Sequence, residues 1–268
     1  NPGFPIYESM IKFSGAVPVP MQLQEETGYH PDLDLLPSLI TNNTRLIILN
    51  SPENPCGSNL SHAELEKIAN IVRQHQNLYI MSDEIYKDIL YTDSHNSIAA
   101  MPGMSARTII LDGFSKSYAM TGWRLGYGIM PSELVPHITR LAVNSVSCAA
   151  SFSQIAAVAA LEGPQDDVEA MVTEFAIRRT LISEGLQSIP NINCPEPEGA
   201  FYAFPSIKNL GLTSSEFEDR SLREAGVALL AGNAFGEFGE GYVRLSYANS
   251  QENIQKAIER LDKFVRSL

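Results

Sequence analysis

The stretch RLIILNSPENPCGSNLSHAELEKIANIVRQHQNLYIMSDEIY (45–86) decides the fold. RLIILN (45–50) and LYIMS (78–82) are continuously apolar, the pattern of strands buried on both faces. Between them, SHAELEKIANIVRQHQ (61–76) repeats Leu65, Ile68, Ile71 and Val72 at helical spacing. Ser61 and Glu64 form the capping box that starts such a helix. Strand, helix and strand in that order make a βαβ unit with parallel strands. A third run, TIIL (108–111), extends the sheet. RLGYGIM (124–130) adds a further strand, and SELVPHITRLAVNSV (132–146) a helix with Pro136 in its first turn.

From about residue 151 the texture changes. SFSQIAAVAALEG and DDVEAMVTEFAIRRTLISEGLQSI read as helices, and GAFYAFPSI (199–207) as a strand. SSEFEDRSLREAG reads as a helix capped by Ser215 and Glu218, with VALLA and YVRLSYA as short strands. A closing helix after Ser250 carries Ile254, Ile258, Leu261, Val265 and Leu268 on one stripe. The expected class is α/β: a mostly parallel sheet with helices on both faces, followed by a smaller C-terminal α+β domain. The division falls near 165–180, within the long helix. Residues 1–165 then form a large domain, and 166–268 an interdomain helix and small domain.

Composition narrows the function. The 268 residues carry a net charge of −12, which argues against nucleic acid or an anionic membrane surface as a partner. The three cysteines, Cys56, Cys148 and Cys194, are odd in number and form no CxxC, so a disulfide framework or zinc ribbon is not expected. That usage fits a reducing cytoplasm. The five histidines form no HxxxH pair, and no metal site is expected. No apolar run approaches the ~18 residues of a membrane span.

Ligands of open parallel sheets bind beyond the carboxyl ends of the strands. There the three runs deliver Asn54, then Asp83 with Tyr86, then Ser115 with Lys116. Singly, each has a bland reading. Asp83 is a helix cap, Lys116 a solvated loop lysine, Arg124 a surface charge and NPCG a turn. Jointly they match one ligand. Lys116 suits imine formation with an aldehyde, and Ser115 with Arg124 suits a phosphate. Asp83 would keep a ring nitrogen protonated, while Tyr86 and Asn54 would reach a phenolic oxygen. Aldehyde, phosphate, pyridine nitrogen and phenolic oxygen together describe pyridoxal 5′-phosphate.

The sequence resembles the class I/II aminotransferases of the fold-type-I pyridoxal-phosphate enzymes, near the bacterial aspartate aminotransferase group. The resemblance is carried by PGFPIY (2–7), NSPENPCG (50–57), SDEIYKDI (82–89), GFSKSYAMTGWRLGYG (113–128), PEGAFYAFP (197–205) and GEGYVRLSYANS (239–250), in the family's order. It implies that Lys116 is the lysine joined to the cofactor and the proton shuttle. Asp83 would pair with the ring nitrogen, Tyr86 and Asn54 with the phenolic oxygen, and Ser115 and Arg124 with the phosphate. Arg244 would hold the substrate carboxylate with help from Asn54, and Phe4 and Ile85 would pack on the two faces of the ring. The implied activity is ping-pong transfer of an amino group between an amino acid and a 2-oxo acid, in a cytoplasmic homodimer. A carbon–sulfur β-lyase on the same scaffold is an alternative. So is the aminotransferase-like ligand-binding domain of a transcriptional regulator.

Three departures from the family pattern stand out. Cys56 replaces the commoner Thr of the NPxG turn. Gly113 stands where some members place a phosphate-binding serine, which shifts that contact towards Ser115. Family members also carry a further N-terminal segment before PGFPIY. It brings an edge strand, a phosphate-cradling loop and a strand lying between AVPVP (16–20) and RLIILN. The 268 residues alone are accordingly expected to be an N-terminally truncated form that holds the cofactor weakly.

Overall fold

The Ser61 cap forms as its spacing predicts. In the computed structural model, which describes residues 1–92 and 94–268, the Ser61 hydroxyl accepts the Glu64 amide and the Glu64 carboxylate accepts the Ser61 amide at 2.8 Å. Two helices open the chain, α1 (Pro5–Phe13) and the single turn α2 (Leu36–Leu39). Strand β1 (Leu46–Asn50), helix α3 (His62–Arg73) and strand β2 (Tyr79–Asp83) then make the βαβ unit. Strands β3 (Thr108–Gly113) and β4 (Gly126–Ile129) follow, then helices α4 (Val135–Ser145), α5 (Ser151–Glu162) and α6 (Asp166–Gln187). The remainder is β5 (Tyr202–Ala203), α7 (Ser214–Arg220), β6 (Leu230–Ala231), β7 (Val243–Ser246) and α8 (Gln251–Val265).

The chain divides into two compact units. One comprises residues 40–52 and 60–172; the other comprises 1–39, 53–59 and 173–268. In the first, the four-stranded sheet runs β1-β2-β3-β4, parallel except for the β3–β4 pair. The α/β class with a mostly parallel sheet is therefore what the chain adopts. Its register aligns Asn50 with Asp83, and Asp83 with Leu111, so the functional side chains start from one carboxyl edge.

Full burial on both strand faces, expected from the apolar runs, is not reached in β1 or β2. In β2, Ile80 and Ser82 are buried while Met81 and Asp83 are half-buried, and Leu46 of β1 is exposed. The later helices of this unit are open as well. α4 buries no residue and α5 only Ser153 and Ala157, while Leu141 (65% exposed) and Phe152 (70%) face solvent. AVPVP joins no ladder.

In the second unit a three-stranded antiparallel sheet, ordered β5-β7-β6, packs among buried aromatic side chains. The cap of α7 differs from expectation. Thr213 and Glu216, not Ser215 and Glu218, make the capping box. Both pairs have the right spacing. Thr213 takes the extended backbone of a cap (φ −70°, ψ 159°), while Ser215 is already helical. GAFYAFPSI shrinks to the two residues of β5, because Ala200 adopts φ +57° before it and Pro205 has no N–H after it. The stripe of α8 is real at Ile254, Leu261 and Val265, whereas Leu268 is exposed.

Candidate active site

Strand β3 delivers Lys116 through a short self-closing loop. The Ala119 amide bonds the Lys116 carbonyl at 3.1 Å, and the Met120 amide the Phe114 carbonyl at 3.3 Å. Phe114 is buried against Met120 and Ala157, so it fastens the loop to the core. Burial of an aromatic ring is the largest apolar contribution available to so short a segment. The Lys116 Nζ lies 5.6 Å from the centre of the buried Tyr86 ring. At the end of β2, the Asp83 carboxylate accepts the Ile85 amide at 3.1 Å, and its carbonyl accepts the Ser51 amide and Asn50 Nδ2, each at 3.1 Å. Ser115 is half-buried, and the neighbouring Ser117 hydroxyl is buried with no partner among the described residues. Arg124 is exposed, sits at φ +53° and donates from Nη1 to the Thr121 carbonyl at 2.9 Å. Asp83, Ile85, Tyr86, Ser115, Lys116 and Arg124 thus belong to one unit, at or just beyond the carboxyl edge of its sheet.

Gly113 has a steric reason. A Cβ there would meet the Gly126 Cα at 2.8 Å and the Leu125 carbonyl at 3.0 Å, so β3 and β4 approach too closely for any side chain.

Two polar clusters that sequence reading missed hold this edge. Asp112 is buried. It accepts its neighbour Gly113's amide (2.7 Å) and the Tyr127 hydroxyl (2.6 Å), and pairs with Lys87 (3.0 Å). Burial first, then the Asp112 carboxylate, pushes the Tyr127 hydroxyl up to about 12. Glu84 is buried beside Asp83 and accepts Ser82 (2.9 Å), Ser97 (2.7 Å) and His95 (3.0 Å). Burial alone would raise Glu84, but those three donors hold it below the usual carboxylate range. No sequence spacing announces either cluster.

The other unit holds Phe4, Asn54 and Arg244. Phe4 is 41% exposed at the start of α1, edge-on to Tyr7 at 5.8 Å. The Asn54 loop is closed by the Glu53 amide on the Ser58 carbonyl (2.9 Å) and the Glu198 and Gly199 amides on the Gly57 carbonyl (2.9 Å each). Gly57 sits at φ +78°, with Pro197 Cβ only 2.6 Å from where its own Cβ would lie. Cys56 is buried with Tyr29, Phe204, Phe235 and Tyr242, a setting that suits a small apolar thiol. Burial raises that thiol. The Glu53 carboxylate accepts the Cys56 amide at 2.7 Å, and its burial pushes it up to about 7. Arg244 donates from Nη1 to Asn54 Oδ1 at 2.9 Å.

The sequence profile of the family Aminotransferase class I and II matches residues 1–261. This chain belongs to the class I and II aminotransferase family. It is similar to the aspartate aminotransferase of Pyrococcus abyssi, 41% identical over 99% of this chain and 69% of that protein. It is also similar to the arginine–pyruvate transaminase of Pseudomonas aeruginosa, 37% identical over 97% of this chain and 66% of that protein. Among solved structures, the aromatic aminotransferase of Pyrococcus horikoshii superposes with a TM-score of 0.96 at 40% identity, covering 100% of this chain and 72% of that one. The chain therefore spans about two thirds of its relatives' length, and the activity it shares with them is aminotransfer. Neither the lyase nor the regulator reading is favoured by these relatives. No helix among the described residues is long and apolar enough to cross a membrane.

Proposed function

We propose that this aminotransferase moves an amino group between an amino acid and a 2-oxo acid with pyridoxal 5′-phosphate as cofactor. The observation that carries the reading is the gathering of Lys116, Asp83 and Tyr86 at one sheet edge, with the Lys116 amine 5.6 Å from the Tyr86 ring. The donor set fits the cofactor: an amine, a carboxylate, a phenol, a guanidinium and the buried Ser117 hydroxyl, which has no partner among the described residues. When bound, the cofactor supplies an aldehyde and a cationic ring that takes up electron density from the substrate.

The chain's own groups do the rest. Lys116 holds the cofactor and then carries the substrate's α-proton as general base and acid. Asp83 keeps the ring nitrogen protonated. Tyr86 and Asn54 would hold the phenolic oxygen, Ser115 and Arg124 the phosphate, and Phe4 and Ile85 would pack on the ring. Arg244 grips the substrate carboxylate and so fixes the Cα–H bond for Lys116. The two substrates react in turn, as in ping-pong kinetics. The functional division is a cofactor domain over 1–165 and a helix with a small domain over 166–268, in a cytoplasmic homodimer. The similar proteins are named for aspartate, arginine with pyruvate, and aromatic substrates, so the class proposed is α-amino acids with their 2-oxo acids. Borohydride treatment of the protein loaded with pyridoxal phosphate, followed by peptide mass mapping, labels Lys116. Label on another lysine overturns the assignment.

A further inference from the structure

The Arg244 guanidinium lies over two buried aromatic rings, those of Tyr202 and Phe235. Strand β7 pairs with β5 so that Tyr202 faces Ser246, and Arg244 lies two residues from Ser246 on the same sheet face. Tyr202 is thus its diagonal neighbour, within reach of a long side chain. The Arg244 Cζ lies 4.4 Å from the Tyr202 ring centre. It lies 4.7 Å from the ring of Phe235, which ends the turn after β6. Both rings are buried, at 6% and 3% exposure. Phe235 is braced edge-on by Phe204 at 6.2 Å, and Phe204 stacks on Tyr242 at 5.2 Å. The Tyr29 hydroxyl donates to the Phe204 carbonyl at 2.7 Å. The two rings therefore rest on fixed core residues.

We infer that Tyr202 and Phe235 are positioning residues for substrate binding, an inference that rests on the reading of Arg244 as the carboxylate-binding group. A guanidinium is weakly hydrated on its faces and carries its donors on its edge. Rings over those faces attract the cation and exclude water, leaving the in-plane edge to bond. Asn54 fixes the rotation within that plane through Nη1. The fork is held before the ligand arrives, so little orientational freedom is lost on binding.

The test is calorimetric titration of the cofactor-loaded protein with pyruvate, a 2-oxo acid with minimal side chain. Tyr202→Leu and Phe235→Leu are each expected to raise the pyruvate Kd about 3- to 30-fold, the range of a desolvated cation–ring contact. The cofactor absorbance spectrum should stay unchanged, and Tyr202→Phe should bind within about twofold of the unmodified protein because the ring is retained. If both leucine variants bind pyruvate normally while Arg244→Gln does not, the positioning role is overturned and the carboxylate reading stands. If Arg244→Gln binds as the unmodified protein does, the carboxylate reading itself falls. An equal loss in Tyr202→Phe, or a changed spectrum, would mark a general structural defect and overturn the positioning role. Should Phe235→Leu fail to fold, the closer-volume Phe235→Met takes its place.

Discussion

Helices α8 and α4 show how differently the two units treat their apolar side chains. In α8, Ile254, Leu261, Phe264 and Val265 are buried, and the sheet beside Arg244 is backed by aromatic rings that brace one another. In α4, no residue is buried, although Val135, Ile138, Leu141 and Val143 are as apolar as anything in α8. Apolar periodicity says which face of a helix seeks cover; it does not say that cover is supplied. The unit with the finished core carries the proposed recognition group Arg244. The unit with the open helices carries Lys116 and the other groups proposed to hold the cofactor except Phe4 and Asn54.

That contrast can be broken first at the level of chemistry. Lys116→Ala is expected to lower kcat/KM for amino-group transfer by about 10⁴-fold or more, since both attachment and proton transfer are lost. Arg244→Gln is expected to cost about 100-fold, the scale of losing one bidentate charged contact. Equal losses in steady-state assays would erase the distinction between a unit for chemistry and a unit for recognition.

The packing contrast is checked by urea unfolding of the chain. Leu261→Ala should cost about 2–5 kcal/mol, as a buried leucine does. Leu141→Ala should stay within about 0.5 kcal/mol, as surface changes do. A large effect at Leu141 would mean that α4 is covered in solution.

A subtler difference lies in two buried carboxyls, one per unit. Glu53 has a folded pKa of about 7 against 4.5 for the free group. The folded state binds the extra proton, so this stability is full below about 4.5 and is lost as pH rises through about 7. It amounts to roughly 3 kcal/mol as an upper bound. Glu84 shifts downward, so its contribution is present above the usual carboxylate pKa and fades as pH falls through its folded value. Glu53→Gln should flatten the neutral side of a pH–stability curve, and Glu84→Gln the acid side. If Glu53→Gln leaves the curve unchanged between pH 5 and 7, its burial is not felt.

Much of the fold was legible because its signals are local. The Ser61 box, the apolar runs and the Ser250 cap each lie within one turn or one strand. The α7 cap was misread because Thr213–Glu216 and Ser215–Glu218 overlap, and only backbone geometry separates them. The proposed cofactor-binding residues were legible as strand-end polar groups. Tyr202 and Phe235 were not, although Tyr202 lies inside PEGAFYAFP (197–205), because the register of β5 on β7 and the turn after β6 bring them to Arg244. Nor were the Asp112 cluster, whose members meet across the sheet edge, and the Glu84 cluster, which the loop after β2 folds back to form.

The contact between Gly113 and Gly126 bears on how this protein can be altered. A single base change suffices to encode Ser at position 113 from some glycine codons. Here that step drives a Cβ to 2.8 Å from the facing backbone, and a side chain on Gly126 would in turn meet the Asp112 carbonyl at 3.0 Å. No one-residue change relieves both, because the obstruction is main chain on each side. In a library selected for firmer cofactor retention, gains should therefore accumulate around Ser115 and Arg124 while 113 and 126 remain glycine.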